Sequence, residues 1–214
     1  MLFKAAAPHK TPLLLTSTSE VYGKSEKDEF SEDDDLLIGP PTCARWSYAC
    51  SKLMDEFLAL AYAREKNMPV VIARLFNTVG PRQTGRYGMV LPRFIAAAKA
   101  GDPLKVFGDG SQTRCFCYVG DVVEALVGLQ NCARAKGEAF NIGSTEEISI
   151  ANLARMVIAT LNSGSQLEFI PYAQAYAPGF DDMRRRKPRT EKLNGAINFR
   201  PAKTLHEIIR LTAG

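Results

Sequence analysis

VVIARLF, residues 70–76, decides how the chain folds. It is an apolar, β-branch-rich run without alternation, the composition of a strand covered on both faces in a parallel sheet. Ahead of it, residues 46–66 read as one long helix, with Pro41 before its start and Asn67-Met68-Pro69 beyond its end. Ahead of that helix, LLLTS at 13–17 reads as a second buried strand. Strand, helix and strand in this order predict a βαβ unit, hence a parallel sheet with a right-handed crossover.

The rest of the chain is more broken. Helices are expected over 90–100, 121–133, 149–161 (Ser149 as N-cap) and 205–211, with a last helical turn at 2–7 closed by Pro8. Short strands are expected at 103–107, 139–142 and 167–170, and GDGSQ at 108–112 reads as a turn. The fold class is α/β, a parallel sheet with a smaller mixed α/β lobe.

Composition narrows the function classes. The 214 residues are 46% hydrophobic and 23% charged, the balance of an ordinary globular protein. No apolar run reaches the roughly eighteen residues of a membrane span, and the N-terminus has no secretory core, so a cytoplasmic location is expected. A net charge of +4 does not point to nucleic acid. Its one basic run, RRRKPR at 184–189, has no accompanying aromatic motif, and the acidic run 26–35 reads as a solvated loop. The five cysteines (Cys43, Cys50, Cys115, Cys117, Cys132) form no disulfide framework. The Cys115-x-Cys117 pair has no second pair at zinc spacing, so no metal site is expected and both read as small buried hydrophobes.

Candidate chemistry starts at SYACSK. Tyr48 and Lys52 are four apart on the expected helix and share a face. An ammonium beside a phenol favours the phenolate, which can act as general base toward a sugar hydroxyl. That spacing alone occurs by chance in many helices. The strand end at Thr16, Ser17, Thr18 and Ser19, followed by Glu20, adds weight, because ligands of parallel sheets sit beyond the carboxyl ends of the strands.

TSTSEVYG, the Tyr-x-x-x-Lys pair, RLFNTVGPR, PLKVFGDGSQTRCFCYVGDVVEAL and FNIGS, in this order, resemble an extended short-chain dehydrogenase/reductase. More narrowly the chain is similar to the NAD-dependent nucleotide-sugar epimerase/dehydratase family, over residues 2–211. The resemblance implies part of a Rossmann-type NAD-binding domain over 1–80, with catalytic Tyr48 and Lys52. It implies a mainly sugar-nucleotide-binding lobe over 81–214, some segments of which return to the sheet. It makes Tyr48 the base, Lys52 its activator and Thr18 the catalytic hydroxyl, with Ser19 and Glu20 beside it. NAD contacts are implied at Thr16, Ser17, Tyr48, Lys52 and Phe76. Contacts to a UDP-sugar or other nucleotide sugar are implied at Asn77, along Leu104 to Phe107 with Leu104 and Val106 singled out, at Arg114, and at Arg186 among three adjacent arginines.

The implied reaction is transient oxidation to a keto-sugar. Ser19-Glu20 resembles the decarboxylase pattern, while residues 84–94 are closer to epimerases. The expectation is a UDP-glucose 4-epimerase-like activity, with a UDP-glucuronate decarboxylase or other dehydratase as the alternative. A non-catalytic sugar-nucleotide-binding remnant is the third reading. The family's glycine loop is absent from these residues, so a truncated form, a separate N-terminal half or self-association are the expected accounts. A homodimer through residues 46–66 is also implied.

Overall fold

The computed structural model describes residues 2–85, 89–175 and 183–214. Its strands are β1 (Leu13–Thr18), β2 (Val70–Leu75), β3 (Thr78–Val79), β4 (Leu104–Phe107), β5 (Thr113–Cys115), β6 (Cys117–Tyr118), β7 (Glu138–Ile142), β8 (Glu147–Ser149) and β9 (Leu167–Ile170). Its helices are α1 (Leu2–Ala6), α2 (Trp46–Lys66), α3 (Val90–Ala100), α4 (Val119–Asn131), α5 (Ile150–Thr160), α6 (Tyr172–Ala175), α7 (Glu191–Ile197) and α8 (Leu205–Ala213).

The βαβ expectation holds. β1, β2 and β7 form one parallel sheet in that order, with Leu13 opposite Val70 and Thr18 opposite Leu75. Period-two alternation explains why β2 lacks a polar face. Val70 and Ile72 pack with Ala59 of α2 and with Met68. Val71 and Ala73 pack with Val122, Ala125 and Leu129 of α4. Both faces of the strand are therefore covered by helices.

The second lobe has its own core, where α3, α5 and α8 close over Leu104 and Val106 of β4. β4 pairs parallel with β9, and β5 antiparallel with β8. The short strands β3, β5, β6 and β8 were not expected, since two or three residues carry too little pattern to read. α4 starts at Val119, earlier than expected, and α5 is capped by Ser149 Oγ, which accepts the Asn152 N–H at 3.2 Å.

Arg74 continues the parity of Val70 and Ile72 toward α2, and meets Glu56 there. Its Nε lies 3.1 Å from both carboxylate oxygens and its Nη2 2.8 Å from Oε2. Ser17 Oγ donates to the same carboxylate. Arg74 Nη1 donates to Tyr22 Oη at 3.0 Å and to the Glu32 carbonyl at 2.9 Å. Tyr22 in turn donates to Asn141 Oδ1 on β7 at 2.7 Å. Burial alone would lower the Arg74 pKa, but Glu56 and Tyr22 more than offset it and hold the guanidinium charged. Removing one member of a buried pair strands the other charge. Glu56→Ala is therefore expected to cost about 3–5 kcal/mol in urea unfolding. Lys192→Ala, which breaks the exposed Lys192–Glu138 pair, should cost far less. Equal costs for the two would remove the special status of the Arg74–Glu56 pair.

Candidate active site

β1 ends at Thr18, and the chain turns at once into a single 3₁₀ turn over Ser19–Tyr22. Thr18 caps it, its Oγ1 accepting the Glu20 N–H at 3.2 Å, which leaves the hydroxyl proton available to a ligand. Ser19 is buried, and its Oγ has no hydrogen-bond partner among the described residues. Tyr48 stands in the first turn of α2, its side chain half exposed. Lys52, one turn on, donates from Nζ to the Thr16 carbonyl at 3.0 Å and so ties α2 to the carboxyl end of β1.

Beside this turn lies a cleft of about 340 Å³. Glu20, Asn77, Arg114 and Arg186 line it together, from four separate parts of the chain. Asn77 is fixed by its Nδ2 donating to the Cys115 carbonyl at 2.8 Å. Arg114 is buried and donates from Nη1 to the Thr113 carbonyl at 2.7 Å. Arg186 donates from Nη2 to Glu20 Oε1 at 2.5 Å, and Arg45 Nη2 stands 3.4 Å from Oε2. Burial pushes the Glu20 carboxyl up, but Arg186, then Arg45 and Arg114, outweigh it and hold it below its ordinary value.

Sequence reasoning missed Arg45 and Arg93, which also line the cleft, and no motif marks them. Lys105 also lines it; it lies within the expected run Leu104–Phe107, and only the parity of β4 could have singled it out. Among the described residues the lining then has five cationic side chains (Arg45, Arg93, Lys105, Arg114, Arg186) against one carboxylate, Glu20. Such a cleft favours a polyanion.

Four expected contacts are corrected. Leu104 and Val106 are fully buried in the lobe core, and the alternate residues Lys105 and Phe107 line the cleft instead. The expected run Leu104–Phe107 does border the cleft, but a period-two strand gives it Lys105 and Phe107 and not the singled-out Leu104 and Val106. Phe76 is fully buried with Tyr22, Phe30 and Met183, so its side chain offers no surface to a cofactor. Ser17 is buried and committed to Glu56. The GDG turn beneath the cleft needs its glycine: Gly110 has φ +72°, and a Cβ there would stand 2.8 Å from Ala151 Cβ. Cys115 and Cys117 are buried hydrophobes, as expected, with thiols pushed up to about 12 by burial. In the 84–94 stretch, Arg86, Tyr87 and Gly88 lie outside the described residues.

The model of the NAD dependent epimerase/dehydratase family matches residues 1–143. The chain belongs to that family. A UDP-N-acetyl-alpha-D-glucosaminuronate decarboxylase of Bacillus cytotoxicus is 44% identical over 201 residues, covering 94% of this chain and 62% of that protein. UDP-glucuronic acid decarboxylase 1 of Xenopus tropicalis is 37% identical over 203 residues, covering 94% of this chain and 45% of that protein. The chain thus spans about half to two-thirds of the length of these relatives. The UDP-glucuronic acid 4-epimerase of Bacillus cereus, solved with UDP-glucuronic acid and NAD, superposes with a TM-score of 0.85 at 28% identity, covering 99% of this chain and 63% of that one. The dTDP-glucose 4,6-dehydratase of Bacillus anthracis, solved with NAD, superposes at 0.84 and 25% identity, covering 99% and 64%. This epimerase/dehydratase chain has the family's Rossmann-type α/β fold.

Glu20 also makes a pH prediction. Its folded pKa is depressed, so its contribution to stability is full above the ordinary value of 4.5 and is lost as pH falls through the lower folded value. Glu20→Gln should be less stable than wild type at neutral pH, and the gap should close below 4.5 in urea titrations. A gap that stays constant into acid would rule out an ion-paired Glu20.

Proposed function

We propose that this chain carries the substrate-binding and acid–base part of an NAD-dependent decarboxylase acting on a UDP-hexuronic acid. The observation that carries the reading is Glu20, half sunk in the cleft wall and held ionised by Arg186 and Arg45 beside the Thr18 turn. The two decarboxylase relatives, at 44% and 37% identity, support it.

Tyr48, Lys52 and the end of β1 at Thr16 would hold the nicotinamide end of NAD, which when bound supplies a hydride acceptor and donor. The half-exposed Tyr48 and the Lys52–Thr16 tie fit that group, whereas the buried side chains of Ser17 and Phe76 do not. Tyr48 removes the proton of the sugar 4-hydroxyl, with the Lys52 ammonium one turn away and Thr18 hydrogen-bonded to the same oxygen. A 4-keto-uronate is a β-keto acid. When its C5–C6 bond breaks, CO₂ leaves and the electron pair moves into the C4 carbonyl as an enolate, after which C5 takes up a proton. Arg186 orients the sugar carboxylate, for which a planar two-donor fork is suited. Arg114 and Asn77 hold the diphosphate.

The epimerase reading is kept as second, because residues 84–94 are closer to epimerases and a UDP-glucuronic acid 4-epimerase shares the fold. Calorimetric titration of the chain should find UDP-glucuronate bound more tightly than UDP-glucose, with Arg186→Met erasing the difference. In the presence of NAD⁺, label in the uronate carboxyl should appear as CO₂. Its retention in UDP-galacturonate instead would favour epimerisation, and binding of neither ligand would sink both readings.

Self-association through α2 completes the proposal. Met54, Phe57 and Leu58 sit on one exposed face of that helix, with Phe57 61% exposed. Sedimentation velocity should show a dimer that Phe57→Glu converts to monomer, and a monomeric wild type would reject it.

A further inference from the structure

Arg186 is one of three consecutive arginines, and the structure shows why it is the one that enters the cleft. The segment 183–189 runs alongside the acidic loop 26–35, with Phe30 N–H donating to the Lys187 carbonyl at 2.8 Å and Arg189 N–H to the Phe30 carbonyl at 2.9 Å. Phe30 and Pro188 form a parallel bridge. Extended backbone alternates, so neighbouring side chains leave on opposite sides. Arg186 and Pro188 are buried, while Arg185, Lys187 and Arg189 turn outward. The outward cations have acidic partners: Arg185 pairs with Asp28 and, at 2.8 Å, with Glu147, and Lys187 Nζ lies 2.6 Å from Glu29. The acidic run is therefore not the freely solvated loop expected from its charge. Glu147 also accepts the Thr113 hydroxyl at 2.5 Å, which joins the segment to the strand that carries Arg114.

We propose that Glu29, Asp28 and Glu147 are positioning residues for recognition of the sugar carboxylate: by pairing with Lys187 and Arg185 they set the register that delivers Arg186 to the cleft. This inference rests on the uronate reading of the cleft. The three acids touch no substrate; they act through the segment. Each pair is exposed and weak by itself, but all act on one short stretch already pinned by backbone hydrogen bonds to Phe30 at its far end and, from Thr113 N–H to the Arg184 carbonyl at 2.9 Å, at its near end. Met183, buried against Phe30 and Phe76, fixes its near end. Asn77 is held through the Cys115 carbonyl rather than by the clamp, so the diphosphate contact there does not depend on these pairs.

The test is a charge swap in the full chain, read by calorimetry with UDP-glucuronate and with UDP. Lys187→Glu and Glu29→Lys, each alone, should weaken UDP-glucuronate binding about tenfold, the scale of one hydrogen bond to a charged group, while UDP binding stays at the wild-type value. Retained UDP binding also certifies that each variant is folded. Glu29→Lys combined with Lys187→Glu restores the pair with reversed sign, and should recover UDP-glucuronate affinity. Single reversals that bind UDP-glucuronate like wild type, that weaken both ligands equally, or that the swap fails to rescue would each overturn the clamp while leaving the uronate reading intact. A wild-type chain that does not prefer UDP-glucuronate over UDP-glucose overturns the uronate reading and this inference with it.

Discussion

One buried guanidinium holds the turn that follows β1. Arg74 enters from β2, grips Glu56 of α2 with a two-pronged contact, and reaches Tyr22 and the Glu32 carbonyl with its remaining arm. Glu56 binds Ser17, the residue before Thr18, and Tyr22 closes the turn that begins after it. The two ends of the turn are thereby fixed to the same cation. The helix that carries Glu56 also carries Lys52 and Tyr48, one and two turns toward its N-terminus. Any slide of α2 along the sheet would break the pair, so the spacing between the Tyr48 helix and the Thr18 turn is set where no ligand reaches. Loss of either partner would leave a charge in a dry interior, which makes intermediate positions costly.

The network is closed by neutral groups. Tyr22 is pushed up to about 12 by burial, so it stays a phenol and can donate to Asn141 while accepting from Arg74. Asn141 donates from Nδ2 to the Phe30 carbonyl at 2.8 Å, which places the acidic loop against the carboxyl end of the sheet. The Phe30 ring stacks on Tyr22 with centroids 4.7 Å apart. From Arg74 the order passes through Tyr22 and Phe30 to the segment that bears Arg186.

This route explains what the sequence could and could not disclose. The βαβ unit was legible because β2 is covered on both faces, and two-sided burial leaves an unbroken apolar run. The placement of Tyr48 and Lys52 one turn apart on α2 was legible because four residues is one helical turn. Arg74 was hidden inside that same run, where a lone charge looks like an interruption and its partner Glu56 lies eighteen residues away. The run Leu104–Phe107 could not be divided into a lining face and a core face, because hydropathy of a four-residue strand says only that one face is buried. The wall of a polar cleft takes the other face, hence Lys105 and Phe107. Three adjacent arginines left the position of Arg186 open, since it depends on pairing with a loop distant in sequence.

The cleft's charge pattern then has an internal logic. Several guanidinium groups brought together in one cleft repel one another, and a carboxylate among them relieves that repulsion. Glu20 fills this place, and its lowered pKa reflects how strongly the arginines favour its ionised form. Under the proposed uronate reading, a ligand carboxylate at Arg186 competes with Glu20 for the same fork, so the bond to Glu20 cannot be what keeps Arg186 in register during binding. Something outside the cleft must hold the arginine while its inner partner is exchanged. The outward pairs of Arg185 and Lys187, one residue to either side, are placed to do that.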